Sequence, residues 1–174
     1  MKKKVTVIAI VVAVIIGLLI ARSKALDYYK TQTSKAVAAR NYAKAVNDYS
    51  MVLLLNPRSS SDYAIMGMLY YNNGNTDKAI EALTEAVKLD KGNSDAHKGL
   101  GLIKQDDSDF KGSIKELTLA IKNNPKDVES YLARSRAYRM MGDKDKAVAD
   151  LKQVLKINPK NMAATNDLQF LQQQ

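Results

Sequence analysis

A 34-residue period organises most of this sequence. Its first register consists of the small residues Ala45, Ala79, Ser113 and Ala147. The second register is apolar and consists of Tyr49, Leu83, Leu117 and Leu151. The third is small or β-branched and consists of Val52, Ala86, Ala120 and Val154. The fourth register marks the end of each unit: Pro57, Lys91, Pro125 and Pro159. Registers that persist over four units without an insertion identify an internal repeat, and such a repeat constrains the fold more than any local pattern does.

Each unit has the spacing of a helix hairpin. Ala79, Leu83 and Ala86 fall at i, i+4 and i+7 and therefore share one helix face. The two alanines let paired helices approach closely, and Leu83 fills the space between them. One hairpin cannot bury this face alone, so the pattern predicts at least three stacked hairpins.

The units resemble the tetratricopeptide repeat. The small eighth and aromatic eleventh positions of that family appear as Gly67, Gly101, Tyr70 and Tyr138. The turn between its helices appears as Gly74-Asn75 and Gly142-Asp143, and the end of its second helix as Asn56-Pro57, Asn124-Pro125 and Asn158-Pro159. The resemblance implies an all-α superhelical solenoid. Its four repeats would be residues 26–59, 60–93, 94–127 and 128–161, followed by a capping helix and tail at 162–174.

Three repeats depart from the family pattern. Gln32, Thr33 and Ala36 replace the expected leucine, glycine and aromatic residue in the first repeat, which is therefore interpreted as a degenerate end repeat. Lys104 and Ser108 replace the aromatic residue and the turn glycine of the third. Arg134 and Ser135 stand where the fourth would have leucine and glycine.

An uncharged apolar segment precedes the repeats. Residues 5–21 read VTVIAIVVAVIIGLLIA and follow a basic tail at residues 1–4. A helix of this length spans roughly 25 Å, against about 30 Å for a bilayer core, and flanking cations can snorkel to close the difference. We therefore predict a transmembrane signal-anchor followed by a juxtamembrane stretch at 22–25. Because no glycine or proline interrupts residues 18–56, the anchor is expected to run directly into the first soluble helix.

A cleaved signal peptide is the alternative interpretation. Ser23-Lys24-Ala25 is an acceptable small-x-small cleavage site, and cleavage would release a secreted soluble adaptor. The apolar run is longer than a usual signal-peptide core, and Arg22 and Lys24 flank the site, so the sequence favours a retained anchor. The cationic tail places the N-terminus inside and the repeats on the extracytoplasmic side, periplasmic or equivalent. Ala9, Ala13, Gly17 and Ala21 form a small-residue ridge that predicts helix packing and a homo-oligomer.

The family resemblance also implies a concave groove lined by the first helix of each repeat. The positions that carry over are Lys30, Ser34, Ala64, Met68, Tyr71, Asn72, Lys98, Leu102, Gln105, Leu132, Arg136, Arg139 and Met140. This amphipathic set suits a protein partner with an apolar and acidic segment. Arg136 and Arg139 share a face and predict that the acidic part binds near the fourth repeat. A chaperone-tail clamp is not expected, since Lys30 with Ser34 and then Ile65 breaks its pattern.

Composition argues against several other functions. There is no cysteine and a single histidine, so thiol catalysis is excluded and neither a metal site nor a cofactor is predicted. Of the net charge of +9, residues 1–25 contribute +5, and aromatic platforms do not accompany the other basic residues, which argues against nucleic-acid binding. The prediction is a non-catalytic protein-interaction module, acting as a scaffold or assembly factor for a membrane-associated complex. The alternative in the same class is a self-associating structural component.

Overall fold

The computed structural model describes the backbone of residues 2–173 and the side chains of residues 10–173, and this part consists of α-helices joined by short turns. The helices in chain order are α1 (Lys2–Ala38), α2 (Tyr42–Leu55), α3 (Ser60–Asn72), α4 (Thr76–Leu89), α5 (Ser94–Asp106), α6 (Phe110–Asn123), α7 (Val128–Met140), α8 (Lys144–Ile157) and α9 (Met162–Gln172). The starts of α2, α4, α6 and α8 lie 34 residues apart, so the helices follow the period of the sequence.

The helices form two compact units, Met1–Arg58 and Ser59–Gln174. In the first unit α1 and α2 pack against each other as a hairpin. In the second unit α3 with α4, α5 with α6, and α7 with α8 form successive hairpins, and α9 packs on α8. The expected all-α helical-repeat fold is therefore confirmed.

The turn inside each hairpin has one geometry whatever residue occupies it. Arg40, Gly74, Ser108 and Gly142 all adopt positive φ, at 53°, 78°, 62° and 77°. The next residue caps the second helix in every case: Asn41, Asn75, Asp109 and Asp143 each accept a hydrogen bond from the backbone N–H three residues on. A left-handed residue followed by a side-chain cap reverses the chain within two residues. The missing turn glycine at Ser108 therefore does not change the fold.

Glycines create the room for the core leucine of the second hairpin. Leu83 is fully buried between Gly67 on α3 and Gly99 on α5. A Cβ atom at Gly67 would lie 2.6 Å from Leu83 Cγ, and one at Gly99 would lie 2.9 Å from Leu83 Cδ1. Since carbon atoms pack at about 3.5–4.0 Å, the two glycines are what admit the leucine.

In the fourth repeat Arg134 stands where the repeat pattern has leucine, and it forms an ion pair with Asp150. Arg134 Nε and Nη2 donate to the two oxygens of Asp150 at 2.8 and 2.7 Å, and Nη1 donates to Thr118 Oγ1 at 3.0 Å. The guanidinium also lies 5.7 and 5.8 Å from the ring centroids of Tyr131 and Tyr138. The departure at Arg134 is therefore compensated by a buried carboxylate and two aromatic faces.

Helix α1 continues without a break from Lys2 to Ala38, as the absence of glycine and proline between residues 18 and 56 led us to expect. Large apolar side chains between Ile10 and Ile20 are exposed along it. Within the described part of the chain, no helix combines the length and the hydropathy needed to cross a membrane. Residues 5–9 of the predicted span, and Ala9 of the ridge, have side chains outside the described set, so the transmembrane helix stays a prediction.

Candidate interaction surface

Helices α3, α5 and α7 lie side by side in the second unit and bring most of the predicted groove residues together. Three hydrogen bonds join neighbouring helices: Tyr71 to Asp106, Gln105 to the Ala133 carbonyl, and Lys98 to Glu129. The residues on these helices that keep some exposure are Met68, Tyr71, Asn72, Lys98, Leu102, Gln105, Leu132, Arg136, Arg139 and Met140. We call this set the α3–α5–α7 surface.

Three predicted groove residues are not part of that surface. Ala64 is 1 % exposed and belongs to the core cluster of Leu83 and Ala79, so its side chain is not available to a ligand. The position of Ala64 in the repeat did not reveal this, because it gives the helix and not how closely the neighbouring helices approach it. Lys30 and Ser34 are exposed on α1, in the other unit.

Tyr71 connects α3 to α5 through its hydroxyl, which donates to Asp106 Oδ2 at 2.5 Å. Burial, together with the hydrogen bond and the negative charge of Asp106, raises the pKa of Tyr71 to about 12. The phenol therefore remains a neutral donor at physiological pH. Asn72 beside it is exposed and donates to the Met68 carbonyl at 2.7 Å.

Lys98 is not the free binding cation that the sequence suggested. Its Nζ lies 3.1 Å from Glu129, 3.4 Å from Asp127 and 3.4 Å from Asp95. Burial alone would lower the pKa of Lys98, but the hydrogen bond to Glu129 and the three nearby carboxylates outweigh burial and raise the pKa above its ordinary value. Three acids around one lysine make this margin of the surface acidic.

The two arginines of the fourth repeat differ in their surroundings. Arg139 Nη1 lies 4.0 Å from Asp167 on α9, and its guanidinium lies 5.9 Å from the centroid of the Phe170 ring. Arg136 is exposed, and Met140 one turn further on is 60 % exposed. Leu151 and Leu171 line a small pocket beneath both arginines. This end therefore offers an exposed cation beside apolar surface, while part of the charge of Arg139 is already balanced.

A second cleft, which the sequence did not point to, lies near the turn between α7 and α8. It has a volume of about 310 Å³ and is lined by Lys111, Ile114, Tyr138, Met141, Asp143 and Lys146. Lys146 Nζ sits 2.6 Å from Asp143 and 5.5 Å from the centroid of the Tyr138 ring. The residues come from three helices and the turn, so only the folded chain brings them together.

His97 is the single candidate general base, and it is a packing residue. It is buried, with Nδ1 at 2.8 Å from Glu116 Oε2 and Nε2 at 3.1 Å from the Lys91 carbonyl. Both ring nitrogens are therefore occupied by partners from its own unit. Among the residues with described side chains, no group of three or more acidic or histidine side chains is arranged to hold a metal ion.

Comparison with known proteins identifies the repeats. Residues 61–93 and 128–161 match the sequence profile described as Tetratricopeptide repeat. These segments cover the repeats with the most regular turns. The matches confirm that the chain carries tetratricopeptide repeats. No curated protein matches this chain by sequence.

Several solved structures share the fold. The MamA protein superposes with a TM-score of 0.69 at 23 % identity, over 87 % of this chain and 82 % of that one. PilF of Pseudomonas aeruginosa gives 0.78 at 16 % identity, over 87 % and 69 %. The first tetratricopeptide-repeat domain of Spaghetti (RPAP3), bound to the HSP90 peptide SRMEEVD, gives 0.63 at 23 % identity, over 66 % and 91 %. At these identities the likeness establishes the fold alone.

Proposed function

We propose that this chain, which carries tetratricopeptide repeats, is a non-catalytic protein-interaction module whose binding site is the α3–α5–α7 surface. One observation carries the proposal: three adjacent helices present exposed methionine, leucine, tyrosine and arginine side chains on a scaffold stiffened by hydrogen bonds between helices. Proteins with this repeat are generally non-catalytic and bind other proteins or peptides. Fold alone does not define function, so the proposal rests on this surface.

The ligand we infer is a partner segment with an apolar residue followed or preceded by an acidic one. Arg136 supplies an exposed guanidinium that can grip a carboxylate, and Met140 and Leu132 supply adaptable apolar contact. The carboxylates around Lys98 repel an acidic residue at the other margin. The acidic part of the ligand is therefore directed toward the C-terminal end of α7, which carries Arg136, and toward α9.

We also propose that residues 5–21 anchor the module in a membrane, with the N-terminus inside and the repeats extracytoplasmic. Apolar side chains from Ile10 to Ile20 are exposed to solvent along α1, which favours burial in lipid. In this arrangement the protein is a scaffold or assembly factor for a membrane-associated complex. Protease applied to the outer face of sealed membranes is expected to digest residues 26–174, and protection of those residues would refute the orientation.

A second candidate function is self-association through the predicted ridge. A Cβ atom built at Gly17 would contact nothing within 4 Å, and Ala13 and Ala21 are exposed on the same helix. Mass measurement in mild detergent distinguishes the two candidates. A homo-oligomer that Gly17→Leu converts to a monomer would support self-association.

The principal experiment is chemical cross-linking in native membranes, followed by purification and identification of captured proteins. Wild type is compared with an Arg136→Glu, Met140→Ser variant. The matched control is Lys152→Glu, which makes the same charge change at an exposed position of α8. A partner captured by wild type and by the control, but lost with the α7 variant, supports the proposed surface. A partner retained by all three proteins contradicts it.

A further inference from the structure

In the first unit, the residue that follows the apolar segment of α1 contacts the end of α2. Arg22 Nε donates a hydrogen bond to the carbonyl oxygen of Leu55, the last residue of α2, at 2.9 Å. The contact joins residues 33 positions apart in sequence. It fixes the C-terminal end of α2 at the level of the first charged residue after the apolar run of α1.

The end of α2 carries an apolar side chain that packing does not use. Leu54 is 70 % exposed, whereas Val52 two residues earlier is fully buried. Arg58, four residues further along the chain, is exposed, and Arg22 contacts the carbonyl of Leu55, the residue next to Leu54. An isolated exposed leucine is ordinary, but one next to such an arginine contact at the edge of an apolar helix matches the chemistry of a lipid interface.

We propose that the C-terminal end of α2, with Leu54, the contact between Arg22 and Leu55, and the exposed Arg58 that follows the helix, is a second membrane contact that inserts Leu54 at the lipid interface and places the arginines among anionic headgroups. This proposal rests on the anchoring of residues 5–21. If those residues span the bilayer, Arg22 sits at its surface, and the hydrogen bond to Leu55 brings Leu54 to the same depth. The guanidinium groups can then donate to lipid phosphates.

The contact has a consequence for the domain. A single helix crossing a membrane leaves its soluble part free to tilt, whereas a second contact on a neighbouring helix fixes the tilt of the α1–α2 hairpin. The first unit then has a defined orientation toward the membrane surface. A leucine and two arginines contribute little affinity alone, but their effective concentration is high because the anchor already holds them there.

The chain contains no tryptophan, so a single introduced tryptophan reports its own depth. The full chain is reconstituted in vesicles with roughly 30 mol % phosphatidylglycerol, to supply anionic headgroups, and with lipids brominated on the upper acyl chain. Leu54→Trp is the reporter. Asn47→Trp is the matched control on α2, seven residues earlier and about 10 Å further from the end of the helix. Ile15→Trp reports insertion of the anchor itself.

We expect the emission of Leu54→Trp to fall roughly twofold, and that of Asn47→Trp to change little, because only the former reaches the acyl chains. Adding Arg22→Gln and Arg58→Gln should reduce the quenching of Leu54→Trp. Quenching of Ile15→Trp without quenching of Leu54→Trp overturns the second contact and leaves the anchor intact. An unquenched Ile15→Trp refutes the anchor and this proposal with it.

Three further outcomes also decide against the proposal or against one part of it. Equal quenching at positions 47 and 54 means that the hairpin lies flat on the surface instead of standing on its end. Protection of Leu54→Trp from aqueous iodide without quenching by brominated lipid means that a protein covers Leu54. If Leu54→Trp is quenched as strongly in vesicles of neutral lipid as in anionic vesicles, the role assigned to the arginines is overturned.

Discussion

Arg134 on α7 and Asp150 on α8 form a two-pronged ion pair, with N–O distances of 2.8 and 2.7 Å. The side chain of Asp150 is only 7 % exposed, and Arg134 is its ion-pair partner. The hydrogen bond to Asp150 is the largest cause of the raised pKa of Arg134, which keeps the guanidinium charged at any relevant pH. Arg134, which departs from the repeat pattern, thus forms a buried polar contact within the fourth hairpin.

Removing one member of this pair should destabilise the fold. Arg134→Met leaves the Asp150 carboxylate buried without a partner, and we expect a loss of about 2–3 kcal/mol, below the value for fully buried pairs because the arginine is partly exposed. The double variant Arg134→Met, Asp150→Ala recreates the Met66 and Ala82 combination of the second repeat. It should return to within about 1 kcal/mol of wild type. Urea unfolding followed by circular dichroism measures both, and equal losses in the two variants would contradict the explanation.

The buried hydroxyl of Ser113 allows a second test of how an unpaired polar group affects stability. Its hydroxyl is fully buried, and no hydrogen-bond partner lies within reach among the described residues. Ser113→Ala should therefore stabilise the chain by about 1 kcal/mol, since an unpaired polar group is removed and the other repeats already have alanine there. The control is Ser130→Ala, which deletes a 2.6 Å hydrogen bond to Asp127 and should cost about 1 kcal/mol. A loss of stability in Ser113→Ala would indicate a partner that the geometry does not reveal.

Replacing Ser108 by glycine should make its turn more stable. A side chain at φ 62° is strained, whereas glycine adopts this conformation without cost. We expect Ser108→Gly to stabilise the fold by about 0.5–1 kcal/mol after the entropy of the unfolded glycine is included. Gly142→Ser is the reverse change at φ 77° and should cost about 1 kcal/mol. The melting temperatures of the two variants should shift in opposite directions.

The Tyr71–Asp106 contact predicts a pH dependence at alkaline pH. Because the pKa of Tyr71 rises from 10.0 to about 12 on folding, its contribution to stability is complete below pH 10 and is lost as the pH rises toward 12. Tyr71→Phe should therefore weaken the fall in stability between these pH values. Tyr70→Phe, whose ring packs against the same core cluster, serves as the control and should keep the wild-type profile. Identical profiles for all three proteins would show that the phenol does not titrate with folding.

Much of the candidate surface could be predicted from the sequence, and the failures have physical causes. Position in the repeat placed Tyr71, Leu102 and Arg136 on the right helices, because a fixed period fixes which face each residue occupies. It could not assign Lys98, since two of the carboxylates that neutralise it come from the start of α7 and the third from its own helix. It misplaced Ala64, whose burial depends on how closely α3 approaches α4 and α5.

By itself the sequence determined the period, the helix hairpins, their turns and the glycines beside the core leucines, because these depend on contacts that recur within each unit. The tertiary structure decided which polar residues are paired: Arg134 with Asp150, His97 with Glu116, and Arg22 with the end of α2. Such pairs join residues 16 to 33 positions apart whose spacing carries no repeating signal. A charged side chain is available to a partner only when no residue of the folded chain already pairs with it. Which residues pair depends on which side chains lie close together in three dimensions.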